Sequence, residues 1–146
     1  LIPTNFQGTF KVIYGEECGM NPTIENGRRI LQIPANGILI IQPEFEGGII
    51  DHEYYFIDRE GKRTKIEQYE NYSDGTKNIP GVRLGGSGSI GGAMPNGGSS
   101  SESPLAIHYT DFKVYQDTID RYDFKEERRF DSLTTALVEE CRKLNK

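Results

Sequence analysis

The sequence predicts a mainly β domain: a sandwich of about six to eight short antiparallel strands with one amphipathic α-helix at its C-terminal end, an α+β arrangement being the alternative. Three observations predict it. Apolar and polar residues alternate with a period of two through the first part of the chain, and Gly, Pro and Asn interrupt that alternation at short intervals. After Asp131 the period lengthens to three or four. A period of two places alternate side chains on the two faces of a strand, and a period near 3.6 lines one face of a helix. The 146 residues suit a single domain spanning 1–146.

Phe10, Val12 and Tyr14 alternate with Lys11 and Ile13 between Gly8 and Gly15, so this segment reads as a strand with one face on a core. Arg29 to Ile33 reads as the next strand, stopped by Pro34, and Ala35-Asn36-Gly37 turns the chain into Ile38 to Gln42. Four consecutive aliphatic residues, Ile38 to Ile41, make that second arm the best candidate for a strand covered on both faces. Asp51 to Asp58 carries Tyr54, Tyr55, Phe56 and Ile57, and Asp58-Arg59-Glu60-Gly61 turns it into Lys62 to Gln68. The polarity of this return arm predicts an edge strand. From Gly85 to Ser100, seven of 16 residues are Gly and four are Ser, which predicts a flexible loop over Gly85 to Ser103. Leu105 to Tyr115 reads as one bent strand or two short ones, broken near Thr110-Asp111. Asp131 then supplies an N-cap for a helix over 131–145 whose packed side is Leu133, Ala136, Leu137, Cys141 and Leu144. Phe124 to Phe130 reads either as the preceding turn of that helix or as a separate short one.

Charge and motifs exclude more than they identify. Lys and Arg number 17 against 22 Asp and Glu, a net charge of -5, whereas a phosphate-backbone binder depends on clustered cations; no nucleic-acid partner is expected. The basic cluster Lys62, Arg63 and Lys65 is flanked by Glu60, Glu67 and Glu70 and reads as a solvated face. No apolar run reaches the ~18 residues of a membrane-spanning helix. Gly86-Ser87-Gly88-Ser89-Ile90-Gly91 spells a dinucleotide-binding loop, but more glycine and Pro95 follow it instead of a helix. His52 and His108 are the only histidines. Each has carboxylates beside it in sequence, but no metal-binding spacing accompanies either. Asn71 to Gly75 lacks the ligand pattern of a calcium loop and reads as a turn. No catalytic residue, cofactor or metal site is therefore predicted. Tyr54, Tyr55, Tyr69 and Tyr72 form a candidate interaction surface, because tyrosine offers large contact area with one polar handle.

Two cysteines, Cys18 and Cys141, lie near opposite ends of the chain. They read either as two separate thiols, the simpler expectation, or as a disulfide that would enclose nearly the whole chain and add about 4 to 5 kcal/mol. The chain opens at Leu1 and not at Met, which leads us to expect a segment upstream, a secretory signal or a lipid anchor.

Leu1-Ile2-Pro3 with Phe6 and Gly8, Ile33-Pro34 with Gly37-Ile38-Leu39, and Tyr54-Tyr55-Phe56-Ile57-Asp58 together resemble a family of uncharacterised bacterial domains. Its members open on an L-I-P-x-x-F/Y-x-G signature and continue through an I-P-x-x-G-I/V-L hairpin and a Y-Y-F/Y-x-D strand. The Gly/Ser run and Phe112-Lys113-Val114 extend the resemblance to about Asp120, and the charged segment and helix beyond depart from it. The resemblance implies a β-rich exported protein or lipoprotein and supplies no catalytic residues. The function expected is a non-enzymatic secreted or cell-envelope binding module for a protein or glycan. Two alternatives stand beside it: an acidic immunity or inhibitor protein that blocks a basic partner, and a hydrolase with spatially assembled carboxylates.

Overall fold

A computed structural model of the chain describes residues 1–45, 51–69, 80–116 and 124–144. The described residues form nine strands and one helix, in order: β1 (Ile2–Pro3), β2 (Gly8–Tyr14), β3 (Thr23–Glu25), β4 (Arg28–Ile30), β5 (Ile38–Ile40), β6 (Tyr54–Ile57), β7 (Arg63–Tyr69), β8 (Gly81–Gly91), β9 (Ala106–Tyr115) and α1 (Phe124–Leu144). Seven strands form one sheet in the order β1-β6-β7-β8-β9-β2-β5, and β3 and β4 form a separate hairpin. The molecule is thus mainly β, but it is neither purely antiparallel nor two stacked sheets. β1/β6, β2/β5 and β7/β8 are parallel pairs. Parallel partners need a long crossover, which local turn signals do not reveal. The seven-stranded sheet curls upon itself: Ile2 from its first strand and Leu39 from its last share one core with Phe10, Val12, Phe56, Phe112 and Val114.

The alternation read in β2 is present, but both of its faces are covered. Phe10 and Val12 face the inside of the curl. Ile13 faces a second core with Ile38, Ile107 and Val138, roofed by α1, and Lys11 on that side is only 4% exposed. The helix begins at Phe124, so Asp131 lies in its interior and caps nothing; its carboxylate receives the ammonium of Lys11. The packed row is Phe130, Thr134, Leu137 and Val138. Leu133 and Leu144, expected on that row, are 41% and 83% exposed. Thr134 fits the apolar interior because its hydroxyl donates to the Phe130 carbonyl (2.8 Å), one turn back.

Three further expectations are corrected. Arg28–Ile30 pairs with Thr23–Glu25 and not with Ile38–Ile40, because Asn26 and Gly27, at φ of 51° and 76°, supply the two left-handed residues of a tight hairpin turn. β7 is not an edge strand: it pairs with β6 on one side and β8 on the other. The loop expected from Gly85 is strand as far as Gly91. There the side chains of β9 lie across the backbone of β8, so a Cβ at Gly85 would fall 2.0 Å from Asp111 Oδ1 and one at Gly88 3.2 Å from Tyr109 Oη. Glycine leaves room for these two side chains. Asp111 Oδ1 also accepts from the Gly86 amide (2.8 Å) at a bulge in the ladder between Leu84 and Ser87. Turns follow from 92 to 105, and β9 is a single strand through Thr110-Asp111.

Cys18, in the turn after β2, and Cys141, in α1, are joined in a disulfide with Cα atoms 5.7 Å apart. Separate thiols are thereby set aside. Beside the bridge, Arg142 donates to both carboxylate oxygens of Glu16 (2.6 and 2.9 Å) and to the carbonyls of Leu105 and Ala106.

Candidate functional site

Curling leaves space inside. A half-open cavity of about 610 Å³ is lined by Ile2, Phe10, Val12, Ile33 and Phe112 together with Tyr14, Phe45, His52 and Tyr54. The walls follow from strand alternation: Phe10 and Val12 of β2, Phe112 of β9 and Tyr54 of β6 all point inward. Phe10 and Phe112 stack at 4.7 Å, Tyr54 meets Phe112 edge-on at 6.1 Å, and Tyr14 meets Phe45 at 5.4 Å. Such rings give a wall large contact area at little entropic cost.

The β3–β4 hairpin and Leu31 cover one side of the mouth. Among the described residues its ladder is made only with itself, and a lone two-stranded hairpin is marginal in water. Charged tethers hold it. Arg28 donates to Asp51 Oδ2 (3.1 Å) and the Asp51 carbonyl (2.8 Å) and lies 3.9 Å from Glu53, while Arg63 of β7 forks onto both oxygens of Glu25 (2.8 and 3.2 Å). These hydrogen bonds raise both guanidinium pKa values and lower that of Glu25. The groups are exposed, so each tether is weak and sensitive to salt.

Tyr54, beside the cavity, carries a buried hydroxyl. Tyr54 is 6% exposed, and its hydroxyl has no hydrogen-bond partner among the described residues. Burial pushes the phenol pKa up, and Tyr14 adds to the shift, so Tyr54 is a neutral donor with nothing to donate to.

His52 stacks on Tyr54 (5.9 Å) and meets Phe112 edge-on (5.7 Å). Burial lowers its pKa from the ordinary 6.5; Asp51 opposes that shift and Arg28 adds to it. The sign for stability follows. The unfolded chain takes up this proton at a higher pH than the folded one, so acidification from about pH 6.5 down to the lowered value costs stability, and below that the loss levels off. We expect wild type to lose stability relative to His52→Phe across this window in urea titrations. A His52 ring signal titrating at or above 6.5 by NMR would contradict the prediction.

Of the four candidate surface tyrosines, Tyr54 and Tyr69 are buried and Tyr55 is half-buried, its hydroxyl donating to Glu53 (3.0 Å). Tyr72, like the turn Asn71 to Gly75, lies outside the described residues. Burial reflects the place of β6 and β7 inside a curled sheet, where the inward side of each strand is core. Among the described residues, Tyr54, Tyr55 and Tyr69 therefore form no exposed tyrosine surface, and Tyr54 lies beside the cavity. His108 is exposed on β9. Among the described residues no group of three or more His, Cys, Asp or Glu side chains is placed to hold a metal. Sequence reasoning missed the hairpin and its arginines, and the Asn26-Gly27 dipeptide was the signal that could have found them.

Fold and cavity together define a class: a curled mixed β-sheet backed by one helix and hollow on its concave side. Residues 1–123 match the model of a family of unknown function, DUF6843, and the chain belongs to that family. A crystal structure of a protein named "Putative Lipoprotein from Bacillus anthracis" is similar, with a TM-score of 0.64 and 16% sequence identity over 94% of this chain and 91% of that one. At this identity the likeness shows the fold. No curated protein matches the sequence. No helix among the described residues is long and apolar enough to cross a membrane.

Proposed function

We propose that the chain is a non-enzymatic binding module of the cell envelope and that it holds a small ligand in the cavity of the curled sheet. The cavity is the observation that carries this reading: about 610 Å³ of half-open space with aromatic and aliphatic walls falls within the range of small-molecule sites. An envelope location is supported by the name of the structural neighbour and by a disulfide, which persists in oxidising compartments. The expected protein or glycan partner on a tyrosine surface gives way to a ligand held inside.

His52 beside four carboxylates at the mouth is the observation that favours a hydrolase. Asp51, Glu53 and Glu25, however, are engaged by arginines, and the His52 ring is held between aromatic rings. A general base needs a partner that orients it, and among the described residues no hydrogen bond orients the His52 ring.

The test is uptake of a neutral, environment-sensitive naphthyl ketone dye, followed by fluorescence titration. Saturable one-to-one binding is expected. Leu31→Trp, at a partly exposed wall position, is expected to fill the cavity and weaken binding at least about tenfold, a loss near 1.4 kcal/mol. Non-saturable binding, or binding indifferent to Leu31→Trp in a folded variant, overturns the reading. So does turnover in a panel of ester and glycoside substrates.

A further inference from the structure

We infer that the β3–β4 hairpin is a lid on the cavity, latched by its arginine–carboxylate pairs and opened by rising ionic strength. The inference rests on the reading of the cavity as a binding site and adds how that site opens and closes. Three observations lead to it.

The hairpin is a wall of the cavity: residues 25–31 all line it. A ligand that fills the space touches the hairpin, and movement of the hairpin changes the access.

Apolar packing does not hold the hairpin in place. All three residues of β3 are exposed, and Ile24, its one aliphatic side chain, is 72% exposed. Main-chain bonds pin the segment at both ends. Ahead of it, Met20 donates to the Ile40 carbonyl (3.0 Å) and accepts from the Gln42 amide (2.9 Å). Behind it, the Leu31 carbonyl accepts from the Leu1 nitrogen (2.7 Å) and the Ile33 amide donates to the Leu1 carbonyl (2.8 Å). Of the described residues between these anchors, 21–30, none packs into either core. The hairpin can therefore swing about its two ends as a unit and leave the seven-stranded sheet intact, which is how a hinge works.

Charge is what holds it down. Arg28, on the hairpin, bonds to Asp51 and lies near Glu53, ahead of β6; Glu25, also on the hairpin, receives Arg63 of β7. The side chains of Arg28 and Arg63 are each 40% exposed, and those of Glu25 and Asp51 more so. Pairs this exposed are individually weak and are screened by salt. A segment with few apolar contacts and solvent-exposed latches is the part of a fold that opens at least cost.

The experiment uses the intact, disulfide-bonded chain, with stopped-flow fluorescence of the neutral naphthyl ketone dye and amide hydrogen exchange of the dye-free protein. The dye is uncharged, so screening acts on the latches. Raising sodium chloride from about 0.05 M to about 0.5 M shortens the screening length from about 14 Å to about 4 Å. Dye association and dissociation are expected to accelerate together, each at least about threefold, with the affinity changed less than about twofold. A ligand passes a gate in both directions, whereas loss of a wall contact speeds dissociation alone. Arg63→Gln and Arg28→Gln are expected to reproduce the effect at low salt. Amides of β3 and β4 are expected to exchange faster than those of β2 and β9, and faster still at high salt. Dissociation accelerating alone, dye rates indifferent to salt and to both variants, or hairpin amides as protected as those of β9 overturns the lid while the cavity stands as a site. Absence of saturable dye binding overturns the cavity reading and the lid with it. The salt series needs no substitution, so the outcome does not depend on the variants folding.

Discussion

Replacing Cys18 and Cys141 by serine is expected to lower the free energy of unfolding by about 4 to 5 kcal/mol, the largest effect of any change considered. The two residues are 123 apart in sequence, so the bridge closes most of the chain into one loop and removes a large share of the conformations open to the unfolded state. On the chain-entropy model the stabilisation grows with the logarithm of loop length, and a loop of this size is near the top of the usual range. Native contacts at the site are more local. Glu16 and Arg142 remain to hold the end of α1 against the turn after β2, and the Arg142 bonds to the carbonyls of Leu105 and Ala106 also survive the substitution. The variant should therefore fold to the same structure, with less margin. Urea unfolding checks this by two readings: a lower midpoint, and a steeper dependence on denaturant because the uncrosslinked chain exposes more surface. A loss below about 1 kcal/mol, with the slope unchanged, would mean that the bridge does not constrain the unfolded chain as supposed.

The sequence made the near-neighbour structure legible and hid the long-range structure. β2, the β6–β7 hairpin with its Asp58–Gly61 turn, β9 and the terminal helix were all readable. Each is specified by residues within a few positions of one another: Asp58 Oδ1, for example, accepts from the amides of Glu60 and Lys62 (2.9 and 2.8 Å) and closes its own turn. The curl was not readable, because Ile2 meets Phe56 and Lys11 meets Ile38 across crossovers that leave no local mark. Glycine misled for a related reason. A run such as Gly85 to Gly91 reads as loop when judged by what it can bury, whereas its place is set by what Asp111 and Tyr109 on β9 require of it. The candidate site was half legible. Tyr54 and Tyr55 were read together as surface, whereas burial alternates along β6 and which of its faces would be core depended on the closing of the sheet.

Lys11 shows the same limit from the other side, and it carries the second large prediction. In an alternating strand a lysine opposite Phe10 and Val12 reads as solvated. Here α1 covers that face, so the ammonium is buried against Asp131 and lies over the rings of Tyr109 (4.6 Å) and Phe130 (5.4 Å). The pair is asymmetric: the lysine side chain is 5% exposed and the aspartate 47%. Breaking the pair should therefore cost different amounts according to which partner goes. Asp131→Ala removes the carboxylate that the buried ammonium meets, and we expect a loss of about 3 kcal/mol, at the low end of the range for a broken buried pair because water reaches the aspartate's side and Asp111 stands across the ladder from Lys11. Lys11→Met leaves a carboxylate that solvent can hydrate and fills the space with carbon, so a loss below about 1 kcal/mol is expected. The double variant should recover most of what Asp131→Ala loses, since it removes the stranded charge along with its partner. Urea denaturation of the three variants beside wild type decides the point. Equal losses for the two single variants, or no recovery in the double, would show that the contact is an ordinary surface pair and that the helix does not seal this face of the sheet.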